Sequence, residues 1–289
     1  MKKVFFVFPL IATMFLFSCG SEPQWESLFN GKDFTGWEIY LGVPHYSVDV
    51  PDIERNEEGV YTQPLGLNND PLNVFTIVEE DGEPALRVSG QVFGSFSTLA
   101  EYGNYHLRLE TKWGETKWAP REKEETRRNS GLLYHGVGEF GAGLNVWKKS
   151  HELQIMENDF GDSYRMSKTY CDITASLNNE TERYVFDPKA SPVRFGHSGD
   201  LKPICSKNPI NEKPHGEWNV VELFCYEGTA VHVINGKVNM IITNSHLVVD
   251  GNEVPLTEGV IQLQSEGAEI FFRKIEIRSI TKIPEKYFK

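Results

Sequence analysis

Along much of this chain apolar and polar residues alternate in steps of two, the spacing of half-buried β-strands. Tyr105, Leu107 and Leu109 fall on one face of an extended segment, with His106, Arg108 and Glu110 on the other. Residues 74–78 and 85–88 flank Asp81-Gly82, a pair suited to a tight hairpin turn. Residues 220–226, 230–234 and 238–243 are separated by Glu227-Gly228 and Asn235-Gly236, which predicts a three-stranded meander. Residues 260–264 and 269–280 close the series. No long helical stripe is present. Residues 115–129 are charged, lack an apolar face and contain Pro120, so they read as a decorated loop. Prolines at 188, 192, 203, 209 and 214 mark a second long irregular stretch. Loops of this length are expected to form lids or rims of a binding site. The pattern predicts an all-β fold, two antiparallel sheets packed as a sandwich with long loops over one face. No repeat or linker divides residues 26–289, which read as a single domain.

Composition agrees. Eighteen Phe, eleven Tyr and six Trp, with 25 Gly and 15 Pro, suit strands and turns better than a helical bundle. The net charge is −12. That balance argues against a nucleic-acid partner, whose phosphates need clustered Lys and Arg.

The N-terminus reads as a targeting segment. Met1-Lys2-Lys3 is a basic start, and residues 4–17 form an apolar run too short to span a bilayer. Leu16-Phe17-Ser18-Cys19 resembles the lipobox of bacterial lipoproteins. The reading is a leader over 1–18, Cys19 as the lipidation site and a short tether over 19–25. The chain would then be exported and lipid-anchored in the cell envelope, in the periplasm or on the outer surface, with no other membrane contact. A plain signal peptide is the rival. Cys171, Cys205 and Cys225 remain; no pair has the close spacing of a zinc site, and they read as buried structural thiols.

Three segments carry candidate chemistry. In residues 151–162, alternation places Glu152, Gln154 and Met156 on one strand face. A bulge after Gln154 would bring Glu157 onto that face, giving two carboxyls able to divide acid and base roles, with Asp159 close by. In residues 129–135, alternation puts Gly131, Leu133 and His135 together, the imidazole ending an apolar row as the readiest proton shuttle in the chain. Arg273 falls in register with Phe271, Ile275 and Ile277, so it needs a partner, a structural carboxylate before a substrate. Gln262 and Gln264 share a face, as ligands of sugar hydroxyls do, or as edge polar groups.

Taken in order, further motifs carry a resemblance. Leu28-Phe29-Asn30-Gly31-Lys32-Asp33-Phe34-Thr35-Gly36-Trp37 resembles the opening signature of the 3-keto-disaccharide hydrolase family. Asn129-Ser130-Gly131, Glu152-Leu153-Gln154-Ile155, Gly216-Glu217-Trp218-Asn219, Asn235-Gly236-Lys237-Val238, Ile261-Gln262-Leu263-Gln264 and Phe272-Arg273 follow in the family's order. His135 stands where many members carry Arg, and the loop at 117–128 is an elaboration. The resemblance implies a concanavalin-like jelly roll that cleaves glycosides already oxidised to a ketone at C3. The ketone acidifies the C2 proton, a base removes it, and the C1 substituent leaves by β-elimination. Water then adds back in the hydrolytic variant.

Such a site needs a base near C2, positive charge at the enolate oxygen and an acid for the leaving oxygen. The expectation is Glu157 or Glu152 as base and His135 as acid or oxyanion stabiliser, with Lys117, Arg121 and Arg273 as cationic partners. Gln154, Asp159 and Gln264 are expected to bind the sugar. A divalent metal held by Glu152, Glu157 and His135 is the alternative source of charge. Two rival functions are a retaining β-glucanase, built on Glu152-x-Gln154-x-x-Glu157, and a non-catalytic glycan-binding lipoprotein, signalled by exposed Trp113, Trp118 and Trp147. The glucanase needs carboxyls about 5–5.5 Å apart.

Overall fold

A computed structural model describes residues 23–288; the expected leader and Cys19 lie outside them. The fold is the expected sandwich of two antiparallel sheets, and the only helical element among the described residues is a 3-10 turn at Glu285–Phe288. No helix among them is long and apolar enough to cross a membrane.

The larger sheet runs in the order Arg183–Phe186, Thr169–Asn178, Lys237–Val249, Thr229–Ile234, Asn219–Tyr226, Tyr105–Lys117, Ala268–Ser279, Glu83–Val88, Phe75–Glu80. The smaller sheet runs Ile204–Cys205, Ser163–Met166, Lys149–Met156, Asn129–Val137, Val260–Ser265, Gly94–Thr98, Trp37–Leu41, Gly66–Leu67. The predicted hairpin is present, and Asp81 and Gly82 both have positive φ, 50° and 77°. A two-residue turn of that hand matches the strands' twist, and Asp-Gly adopts it at little cost. The meander is also present, with Asn235 and Gly236 at φ 51° and 78°.

Alternation decides what meets between the sheets. Leu107, Leu109, Val221, Leu223, Ile270 and Phe272 come from the larger sheet, and Phe96, Leu132, Leu153, Ile155, Ile261 and Leu263 from the smaller. All are nearly inaccessible. Each such side chain contributes about 1.5–3 kcal/mol of burial free energy, which makes this layer the main stabilising element. Cys171, Cys205 and Cys225 are free thiols in that layer, as expected.

A small polar network also lies between the sheets. Arg165 bonds to His151 Nδ1 at 2.7 Å, to Cys171 Sγ at 3.0 Å and to Ser163, and His151 Nε2 meets Ser245 Oγ at 2.5 Å. The register explains its position, because His151 pairs with Arg165 and Tyr134 on the core-facing side.

Candidate active site

The opposite face of the smaller sheet carries the candidate chemistry. Cross-strand pairing sets Gly131 opposite Gln154 and Leu133 opposite Glu152. On the next strand, Gln262 pairs with Leu133 and Ser97, and Gln264 with Ser95. Glu152, Gln154, Gln262 and Gln264 therefore share one face. Loops cover it: Trp147 packs with Leu133, Val146 and Met166, and its Nε1 donates to Gly94 O at 2.9 Å. That cover leaves Glu152, Gln262 and Gln264 almost fully buried, at 2%, 0% and 1% exposure.

Gly131 is the floor of the site. A Cβ there would stand 2.4 Å from Glu152 Oε1 and 2.5 Å from Gln264 Oε1, so two polar side chains converge on the space a larger residue would fill. Glu152 Oε1, Gln154 Oε1, Gln262 Nε2 and both terminal atoms of Gln264 are buried and have no hydrogen-bond partner among the described residues. Gln262 is nevertheless fixed, because its Oε1 accepts from Ser95 Oγ at 3.1 Å and from Lys148 N at 3.3 Å. Buried polar atoms are normally paired, and leaving one unpaired costs about 1–3 kcal/mol. Such a concentration in one place makes this face the candidate binding surface. Burial, with the nearby negative Glu266, raises the Glu152 carboxyl well above the ordinary range, and Arg165 only partly opposes this.

Glu266 is the residue that reading the strands as isolated patterns missed. The signal was available, since Gln262, Gln264 and Glu266 follow one another at the two-residue spacing of a single face. Its Oε1 accepts from Arg121 Nη2 at 2.6 Å and from Asn129 Nδ2 at 2.5 Å, and Arg121 Nε also bonds to Glu266 O at 3.0 Å. Burial raises this carboxyl too, while Arg121 and Asn129 pull it back toward the charged form. Tyr164 pairs with Glu152 across strands, and its hydroxyl is raised by burial and then by Glu152 and Glu266. The site thus holds two carboxyls in unequal surroundings, one without a cationic hydrogen-bond partner and one latched to a guanidinium.

Several expected residues lie elsewhere. His135 does not join Leu133 on the outer face. It has φ 54° in an irregular stretch of pairing between Tyr134 and Val137, and its ring packs edge-on to Tyr105 and Tyr134, both core residues. Burial there lowers its pKa to about 4, and neither ring nitrogen has a hydrogen-bond partner among the described residues. Glu157 is also separate. The pairing of 154–156 with 129–131 is regular, so no bulge forms and Glu157 falls beyond the strand end. There Arg128 Nη1 donates to it at 2.7 Å and Arg128 N at 2.8 Å. Burial works against the charge, but these bonds hold its carboxyl below the ordinary range. It lines a pocket of about 370 Å³ with Trp113, Glu212 and His215.

Arg273 lies outside the core as well. Lys274 has φ 50° and the pairing shifts between Arg273 and Glu276, which puts Phe272 and Ile275 inside and Arg273 out. Arg273 bonds to Glu110 at 2.6 Å and stacks on Trp218 at 3.9 Å, so the carboxylate partner is real and structural. Lys117 donates to the carbonyls of Lys123, Glu124 and Thr126, cross-bracing its own loop. Asp159 is tied to Arg127 at 2.6 Å and Lys207 at 2.7 Å.

Glu152, Glu157 and His135 therefore do not form a donor set for a metal, and no group of three or more His, Cys, Asp or Glu among the described residues does so. The pairing that a retaining glucanase would need between Glu152 and Glu157 is likewise not assembled. Trp113 and Trp147 are buried at 4% and 1%, and Trp118 is half-buried, so these rings do not form an exposed sugar platform.

Comparison with known proteins adds one family and several distant shapes. Residues 24–278 match the model of the 3-keto-α-glucoside-1,2-lyase-like domain. No curated protein sequence matches. Among solved structures, a protein from Parabacteroides distasonis ATCC 8503, provisionally named a glycosyl hydrolase, is 18% identical with a TM-score of 0.45, covering 89% of this chain and 94% of that one. A β-glucanase from Bacillus licheniformis is 8% identical, with a TM-score of 0.42 over 91% of this chain and 100% of that one. A carbohydrate-binding module from Bacillus subtilis is 8% identical, with a TM-score of 0.40 over 71% and 92%.

Proposed function

Because the chain belongs to the 3-keto-α-glucoside-1,2-lyase-like family, we propose that it cleaves the glycosidic bond of 3-keto-glucosides by β-elimination at the outer-face site. The observation that carries this reading is Glu152, buried on that face with an unpartnered Oε1 directly over Gly131. Burial disfavours its charged form, so the ionised carboxylate is a stronger base than an exposed glutamate and closer in pKa to an acidified C–H.

In this mechanism Glu152 takes the C2 proton. The C2–H electron pair forms the enolate with C3, whose oxygen gains the negative charge. Arg121, fixed by Glu266, supplies the positive charge for that oxygen. The enolate then collapses, a C1=C2 bond forms, and the C1–O bond breaks. The leaving oxygen receives a proton, for which the Tyr164 hydroxyl beside Glu152 is the assigned donor. The products are a 1,2-unsaturated 3-keto sugar and the free aglycone alcohol; water adding across the double bond completes hydrolysis. Gln154, Gln262 and Gln264 hold the sugar hydroxyls with the amide atoms that lack partners in the protein.

The test is Glu152→Gln, assayed on a 3-keto-glucoside and its unoxidised parent in D2O. Wild type should cleave only the keto form and exchange deuterium into C2. The variant should lose both cleavage and exchange while its melting temperature stays near wild type. Retained exchange in the variant, or cleavage of the plain glycoside by wild type, would overturn the assignment. We also infer export and lipid anchoring through Cys19, for which Cys19→Ser should release the protein from the membrane fraction.

A further inference from the structure

Beside the site, a second concavity of about 330 Å³ has a different chemistry. Its wall is carbon-rich, from Val43, Pro44, Tyr46, Val60, Phe93 and Pro120. Tyr46 and Val43 are 59% and 42% exposed, unusual for large apolar side chains on one small patch. No carboxylate, lysine or arginine lines it; its polar side-chain groups are the Gln91 amide, the His45 ring and the Tyr46 hydroxyl. Two of their acceptor or donor atoms are engaged within the protein, Gln91 Oε1 with Ser89 Oγ at 3.1 Å and His45 Nδ1 with Ser47 Oγ at 2.8 Å.

The pocket shares no lining residue with the carboxyl site but is linked to it through two sets of neighbours. Phe93 also packs against the Leu133–Trp147 cluster, and Leu133 is the cross-strand neighbour of Glu152. Pro120 precedes Arg121, whose guanidinium holds Glu266. A glycoside with its ring over Gly131 therefore has an apolar recess next to it on the side of the charged loop.

We infer that this recess is the aglycone subsite and that it takes an aromatic or compact hydrocarbon aglycone rather than a second sugar. The inference rests on the elimination reading for the position of the sugar ring. A second sugar would bury several hydroxyls against a wall with few free hydrogen-bonding groups, and each unpaired hydroxyl is costly. A six-membered hydrocarbon ring gains burial and an aromatic contact with Tyr46 or Phe93. The recess lies at the lower end of the size range for small-molecule pockets, which suits one ring.

The experiment compares 3-keto-benzyl α-glucoside with 3-keto-trehalose. Benzyl alcohol is the poorer leaving group of the two, so a preference for it reports recognition and not chemistry. Wild type should favour the benzyl compound by about tenfold or more in kcat/KM. Tyr46→Ser should cut benzyl turnover about tenfold and leave trehalose turnover within twofold. Equal turnover of the two compounds, or an equal loss on both in the variant, would overturn the inference. Isothermal titration with unoxidised benzyl α-glucoside and trehalose separates this from the reaction itself. If neither keto compound is cleaved but benzyl glucoside binds in a Tyr46-dependent way, the reaction assignment fails and the aglycone subsite stands. Binding indifferent to Tyr46→Ser sinks the subsite.

Discussion

Replacing Gly131 by Ala adds one methyl group at the point where the candidate site converges. The backbone of Gly131 is outside the left-handed region, so alanine meets no conformational penalty there. Its Cβ would lie 2.4 Å from Glu152 Oε1, 2.5 Å from Gln264 Oε1 and 3.0 Å from Gln264 Cδ. Ordinary contacts begin near 3.4 Å, so each oxygen must retreat by about 1 Å. Both atoms end flexible side chains, and the fold can absorb that retreat by rotation. Stability should therefore change by no more than about 1 kcal/mol, since lost glycine entropy in the unfolded chain offsets mild overpacking. Catalysis is less forgiving. A reacting group displaced by 1 Å loses on the order of 100-fold in rate, about 2.7 kcal/mol in barrier. The assay is kcat/KM on a 3-keto-glucoside with C2 deuterium exchange, beside a thermal melt. Gly103→Ala is the control, because its nearest neighbour would be a relaxed 3.5 Å away. A Gly131→Ala enzyme that melts normally and reacts at the wild-type rate would refute the placement of the reaction at Glu152 and Gln264.

Arg121→Ala should lower kcat/KM by about 100-fold and leave KM nearly unchanged, because it removes charge from the enolate and not from the ground state; a pure KM effect would assign Arg121 to ground-state binding instead. Gln264→Met should raise the unfolding free energy by about 1 kcal/mol in a urea titration, since it removes two buried unpartnered atoms, while abolishing sugar binding by calorimetry; destabilisation would show that the amide is satisfied in the fold. His135 gives a pH prediction. Above its ordinary pKa of 6.5 the ring is neutral folded or unfolded and contributes no pH dependence. Below 6.5 the unfolded chain gains a proton that the buried ring resists until about pH 4, so stability falls with acid by up to about 1.4 kcal/mol per pH unit, or roughly 3 kcal/mol in all. His135→Asn, which tolerates positive φ, should flatten that slope in melts between pH 7 and 4; an unchanged slope would assign it to other groups.

The alternating pattern places the strands it names because it depends only on local geometry, whereas Trp37–Leu41, Gly94–Thr98 and Thr169–Asn178, and the short strands Pro192–Phe195 and Ile204–Cys205 inside the stretch read as irregular, are not legible in it. Asp81-Gly82 and Asn235-Gly236 are read correctly for the same reason, since the turn type is written in two adjacent residues. The face carrying Glu152, Gln154, Gln262 and Gln264 follows from parity along two strands. Parity fails where the backbone leaves it. His135 and Lys274 take positive φ without being glycine or asparagine, and each shifts every later residue of its strand to the other face. Nothing in their own side chains announces this; the shift is imposed by the sheet on which they pack. Glu157 fails in the opposite way, because the expected bulge is absent and the strand ends one residue before it. The Arg121–Glu266 pair joins residues 145 apart, and only the closed sandwich brings them together.

The distribution of polar groups favours the covered face over the pocket at Glu157 as the seat of the proposed chemistry. Around Glu157 and Asp159 each carboxylate is already matched by Arg128, Arg127 or Lys207, so binding a ligand there must first break an ion pair. Beneath the loops the situation is reversed. Glu152 and three glutamines are held in place by strands and packing, yet several of their polar atoms have no partner in the protein, so a hydroxylated ligand exchanges bonds to water for bonds the fold leaves unmade. A stable fold tolerates this because the hydrophobic layer beneath it is extensive, while the neighbouring loop at 117–128 is braced by Lys117 on its own carbonyls and by Arg121 on Glu266. Stability is thus concentrated between the sheets, and the proposed chemistry is placed on the face above, with Arg121 bracing the loop at 117–128 and serving as the proposed partner of the enolate.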